Sequence, residues 1–125
     1  MRIILADQHV QPCLALRTML EQQPEFYFIG EAADAQSLLE LAQQYHPDLV
    51  LVDSELPGLY IEDLIFRLHA LEPSLFVVVM SSNTENSRKL LQAGADAFAS
   101  KADDPEWLLE TLIKFKGHSK RNELG

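Results

Sequence analysis

Short apolar runs and longer amphipathic stretches alternate along the chain. Residues 2–6 form an apolar run that gives way to the polar Asp7, Gln8 and His9. Leu16, Met19 and Leu20 then recur at helical spacing; Pro12 is tolerated in the first turn of that helix, and Gln23-Pro24 stops it. Residues 26–31 read as a second strand. Asp34 predicts an N-cap, and Leu38, Leu41, Ala42 and Tyr45 supply one face of a second helix. After the break at Pro47-Asp48, residues 49–52 are continuously apolar, as a strand covered on both faces must be. The polar loop 53–58 follows, and Ile61, Leu64, Ile65, Leu68 and Leu71 predict a third helix closed by Glu72-Pro73. Residues 75–80 predict a fourth strand, a polar loop from Ser81 to Asn86 leads into a short helix ending at Gly94, and residues 96–100 predict a fifth strand. Asp104-Pro105-Glu106 is a helix start, with Leu108, Leu109, Leu112 and Ile113 on the apolar face behind it.

Five strand–helix units in succession require crossover connections, so the strands lie parallel and the helices cover both faces of the sheet. The expected fold is α/β: a doubly wound, five-stranded parallel sheet in a flavodoxin-like three-layer sandwich, with strand order 2-1-3-4-5.

A chain of 125 residues suits one compact domain, here expected over residues 1–117, with the polar residues 118–125 as a frayed tail or the start of a linker. The net charge of −9 argues against nucleic acid or an anionic membrane as a direct partner, because like charges would repel. Cys13 is the single cysteine, which excludes an internal disulfide and reads as a small helix residue. No Cys/His set has zinc spacing, no apolar run approaches the roughly 20 residues of a membrane span, and no signal peptide opens the chain. A cytoplasmic location is the expectation. His9, His46, His69 and His118 are scattered and read as structural or surface residues, and Trp107 as helix packing.

In open α/β sheets ligands bind beyond the carboxyl ends of the strands, where the strand order reverses. In order 2-1-3-4-5 that point lies between strands one and three, so Asp7 and Asp53 meet there, with Ser81 and Lys101 on the same edge. Singly, each has an ordinary explanation: a cap, a turn residue, a loop hydroxyl, a solvated lysine. Jointly, two acids, a hydroxyl and an amine are the groups that hold a divalent cation and a phosphoryl group.

The run Leu5-Ala6-Asp7-Gln8-His9, the loop Asp53-Ser54-Glu55-Leu56-Pro57-Gly58, Ser81 after a valine-rich strand, and the segment from Gly94 to Lys101 resemble the receiver domains of two-component response regulators. The similarity runs from about Arg2 to Lys116, and is closest to receivers that precede a LuxR-type helix-turn-helix domain. It implies that Asp53 is the phospho-acceptor, and that Asp7, Asp53 and the Glu55 backbone carbonyl hold Mg2+. It also implies that Lys101 pairs with the phosphate, that Ser81 meets the phosphoryl oxygens, and that Phe98 is the aromatic that swings on activation. The adjacent Ser82 leaves the hydroxyl's register open by one residue.

Gln8 stands where the family carries a second metal-binding acid, so it enters the ligand set as a neutral oxygen and predicts weak Mg2+ affinity. Phe98 lacks the hydroxyl of the tyrosine often found there. The resemblance implies a sensor histidine kinase as phosphoryl donor, a homodimer as a compatible assembly, DNA contact only through a separate output domain, and no turnover catalysis. Two other readings stand beside it. One is a pseudo-receiver that works through phosphorylation-independent protein contacts because of Gln8. The other is a flavodoxin-like enzyme or flavin protein, disfavoured because no Gly/Ser/Thr-rich phosphate loop follows the first strand.

Overall fold

The computed structural model describes residues 1–101 and 105–116, and within them the side chains other than those of residues 10–15, 84, 105, 107 and 116. Five strands, β1 (Arg2–Ala6), β2 (Tyr27–Ala32), β3 (Leu49–Asp53), β4 (Phe76–Ser81) and β5 (Ala97–Ser100), form one parallel sheet in the order β2-β1-β3-β4-β5. The helices between and after them are α1 (Val10–Glu21), α2 (Ala35–Tyr45), α3 (Ile61–Leu71), α4 (Ser87–Gln92) and α5 (Pro105–Lys116), with a 3₁₀ turn at Thr84–Asn86 before α4. The doubly wound expectation therefore holds, strand order included.

Side chains of a strand point alternately to its two faces, and the core divides accordingly. Ile4, Ala6, Val50, Val52, Val77 and Val79 face the helices α2 and α3, where they meet Leu38, Leu64, Ile65 and Leu68. Ile3, Leu5, Leu49, Leu51, Val78 and Met80 face the other way, onto Leu20 of α1 and Leu108 and Leu112 of α5. Every residue of β3 is buried, as expected for the central strand of a sheet with helices on both sides.

Local chemistry fixes the ends. The Asp34 side chain caps α2 by accepting from the Ser37 amide at 2.7 Å, and that bond holds its carboxyl below the usual carboxylate range. Gly94, just past α4, has φ +114°, which favours glycine. Gly58 has φ +112°, and a Cβ there would meet the Cβ of Ala35 at 3.2 Å; beside it, the Pro57 carbonyl accepts from the Ala35 amide at 2.8 Å. The loop after β3 is thereby seated on the start of α2.

Several boundaries differ from expectation by one residue. The second strand begins at Tyr27 because the Phe26 amide is spent on a turn to the Gln23 carbonyl. The fourth begins at Phe76 because the Leu75 amide turns back to Glu72, and it runs through Ser81. Asp96 is not in β5: its carboxylate accepts from the Val77 amide at 2.8 Å and contacts His69 of α3 at 3.2 Å. The expected tail 118–125, with His118, and the expected cap Asp104 lie outside the described residues, as do the side chains of Cys13 and Trp107.

Candidate phosphoryl and cation site

Strand register brings the site together. Ala6 is level with Val52, so Asp7, one residue beyond β1, comes beside Asp53 at the end of β3. Ser81 pairs with Ser100, and the Lys101 amide donates to the Ser81 carbonyl at 2.9 Å, which sets Lys101 on the same edge. Among the described residues, the buried polar ones are Asp7, Asp53 and Ser81, each at or just past a strand's carboxyl end. Burying polar groups is costly, and the protein does it at the switch point of the sheet.

The Lys101 ammonium joins the two acids. Its Nζ donates to Asp7 Oδ2 at 2.9 Å and lies 3.1 Å from Asp53 Oδ2. Burial lowers the ammonium's pKa, but the interactions with the Asp7 and Asp53 carboxylates together outweigh it and leave the value raised. Asp7 Oδ1 accepts from the His9 amide at 2.9 Å, and Asp53 Oδ1 from the Glu55 amide at 3.1 Å. Asp53 Oδ2 is buried and accepts no hydrogen bond, so Lys101 meets it as a charge rather than as an aligned donor.

The remaining expected residues fall around this centre. Of the two adjacent serines, Ser81 is buried and Ser82 is exposed. The Ser81 Oγ accepts from the Asn83 amide at 3.0 Å. Phe98 is half-buried against the core beneath α2 and α3. Gln8 is exposed, and its amide nitrogen donates to the Glu55 carbonyl at 3.5 Å, a long bond. With a carbonyl as partner, the amide must present nitrogen rather than oxygen.

His9, read from the sequence as a surface or structural residue, is exposed but belongs to this cluster. Asp7, His9 and Asp53 each offer a ligand atom, all within 4.8 Å of one another. The only sequence signal was its place two residues after Asp7. The set fits a divalent cation: a buried carboxylate oxygen that accepts no hydrogen bond, a second buried carboxylate, and a backbone carbonyl bound only by a long amide contact.

The response regulator receiver domain model matches residues 3–113. The chain belongs to that family. This receiver is 30% identical over 112 residues to the nitrate/nitrite response regulator NarL of Escherichia coli (strain K12), covering 88% of this chain and 52% of that protein. It is 34% identical over 122 residues to the transcriptional activator ExaE of Pseudomonas putida, covering 95% of this chain and 57% of ExaE. A LuxR-family two-component response regulator from Aurantimonas sp. SI85-9A1 superposes with a TM-score of 0.86 at 25% identity, over 94% of this chain and 86% of that one. The receiver spans about half the length of the curated relatives it matches. No helix among its described residues is long and apolar enough to cross a membrane.

Proposed function

We propose that Asp53 accepts a phosphoryl group from the phosphohistidine of a sensor histidine kinase, and that Ser81, Lys101 and Phe98 turn this into a change of surface. One observation carries the reading: two buried carboxylates and a buried hydroxyl share one strand edge, with a lysine ammonium held between the acids.

The chemistry follows from the atoms. A carboxylate oxygen of Asp53 attacks phosphorus in line, the P–N bond of the donor breaks, and the donor imidazole leaves carrying a proton from solvent. The product is an acyl phosphate on Asp53. Such transfer depends on positioning and charge stabilisation rather than on acid–base work. Lys101, already 3.1 Å from Oδ2, follows the negative charge onto the phosphoryl oxygens. Asp7 and Asp53, with the Glu55 carbonyl, would hold a divalent cation, which screens the anionic acceptor from the anionic donor. Gln8 adds no charge to that set, so Mg2+ binding is weak in the unphosphorylated protein.

The Ser81 oxygen takes a hydrogen bond from Asn83, which leaves its own hydrogen to donate to a phosphoryl oxygen. That bond draws the loop after β4 toward Asp53, and Phe98 fills the space vacated. Packing alone holds the inward state, since Phe98 has no hydroxyl. The outcome is altered pairing with a second copy or with an output domain joined after residue 117. By analogy with NarL and ExaE, that output is a DNA-binding transcription factor domain. The domain accepts one group per signal, in the cytoplasm, and is not a turnover enzyme.

The test is intact-mass measurement after incubation with acetyl phosphate and Mg2+. A phosphoryl adduct on the native protein that is lost in Asp53→Asn supports the switch. An unmodified native protein at high Mg2+ overturns it.

A further inference from the structure

We infer that the pocket at Asp7 and Asp53 is suited to a borderline divalent transition cation, of the cobalt, nickel or zinc class, with the His9 imidazole as a ligand. The inference rests on the proposed placement of a cation beside Asp53, and it concerns which cation and which third side chain.

Four observations support it. Ligand atoms of Asp7, His9 and Asp53 lie within 4.8 Å of one another. Two ligands held at about 2.0–2.1 Å from one ion stand at most about 4.2 Å apart, so closing the set takes a movement of under about 1 Å. The His9 ring makes no capping bond to α1 although His9 occupies the N-cap position, and the residue is exposed, so no cap is lost when the ring turns. Its backbone amide is tied to Asp7 Oδ1 at 2.9 Å, which keeps the ring beside the carboxylate. Asp53 Oδ2 is buried and accepts no hydrogen bond.

The neighbouring residue tilts the choice of metal. Gln8 is neutral and turns its amide nitrogen toward the Glu55 carbonyl at 3.5 Å, so it offers a hard cation no third carboxylate oxygen. Mg2+ needs near-octahedral oxygen ligands and gives up water reluctantly. The side chains that converge are two carboxylates and an imidazole, a mixed oxygen and nitrogen set of the kind that Zn2+, Ni2+ and Co2+ accept. Affinity at such a site rises along the first-row series. Binding requires the Lys101 ammonium to withdraw from between the two acids, a displacement common to every cation and therefore neutral to the preference.

The probe is Co2+ alone, followed by its visible d–d absorption and by paramagnetic shifts of the His9 ring protons, with Mg2+ affinity measured in parallel. The native protein is expected to bind Co2+ at least thirtyfold more tightly than Mg2+. His9→Ser, which keeps a good N-cap residue, is expected to lose at least tenfold on Co2+ and less than threefold on Mg2+. Asp53→Asn is expected to lose the Co2+ spectrum. An unchanged Co2+ affinity in His9→Ser overturns the inference. So does a spectrum that survives in Asp53→Asn, because the cobalt would then not depend on the Asp53 carboxylate. A native protein that forms the acetyl-phosphate adduct with Mg2+ while cobalt ignores His9 overturns this inference and leaves phosphoryl transfer standing.

Discussion

Replacing Gln8 with aspartate changes the charge of the site at a single position. In the native pocket two carboxylates face one ammonium. Gln8→Asp adds a third negative charge next to the Glu55 carbonyl that the amide now contacts. Without metal, three acids share one cation, and the folded state loses stability. With a divalent cation the balance reverses. A unit charge pair at 4 Å is worth about 4 kcal/mol at the effective dielectric typical near a protein surface. Desolvation of the new carboxylate and loss of the Gln8–Glu55 bond oppose this gain. If half survives, about 2 kcal/mol remains, which is a roughly thirtyfold tighter Mg2+ Kd. The metal-free variant carries extra repulsion of about 1 kcal/mol, because Lys101 offsets part of it. For a domain of this size that lowers Tm by about 4 °C. Thermal unfolding across a Mg2+ series, with isothermal titration for Kd, reads both effects. The expected curves cross: the variant is less stable at zero Mg2+ and more stable at millimolar Mg2+. A Kd changed by less than threefold, or micromolar Mg2+ affinity in the native protein, refutes the reasoning.

Other consequences follow from the same contacts. Lys101→Met leaves two buried carboxylates without their counter-charge; breaking a fully buried pair costs about 3–5 kcal/mol, and with Lys101 partly exposed the lower end applies, measured by urea denaturation. Mg2+ should restore more stability to Lys101→Met than to the native protein. Because the Lys101 pKa is raised in the folded state, its contribution is complete below the ordinary lysine value of about 10.4 and is lost as pH rises through the folded value. Unfolding midpoints should therefore stay level toward pH 10 and fall more steeply beyond it than in Lys101→Arg, whose charge persists; parallel curves would contradict this. Leu51→Ala, at a fully buried position of the central strand, should cost about 2–5 kcal/mol in the same denaturation assay.

The strand ends were legible because an apolar run has to stop where polar chemistry begins. Asp7, Asp53 and Lys101 each follow such a stop, and parallel topology sends all the stops to one edge. Which of Ser81 and Ser82 closes β4 was not legible, since both are serine and only the pairing of Ser81 with Ser100 sets them apart. The one-residue errors at β2 and β4 arose because Phe26 and Leu75 are apolar and buried yet spend their amides on turns. The bond from Gln8 to the Glu55 carbonyl joins residues 47 apart in sequence, beyond any local pattern. His9 was missed because an exposed histidine after two polar residues looks like any loop residue; the fold-back of Asp7 onto the His9 amide is what reveals its place.

The central claim is that the buried carboxylate at the end of β3 becomes an acyl phosphate. Borohydride reduction after exposure to a phosphohistidine donor converts such an acyl phosphate to the alcohol of homoserine, which peptide mass mapping locates. Homoserine is expected at position 53 and nowhere else, with none formed when donor is withheld. Aspartate intact at 53 after saturating donor and metal, or homoserine at another acid, would contradict it.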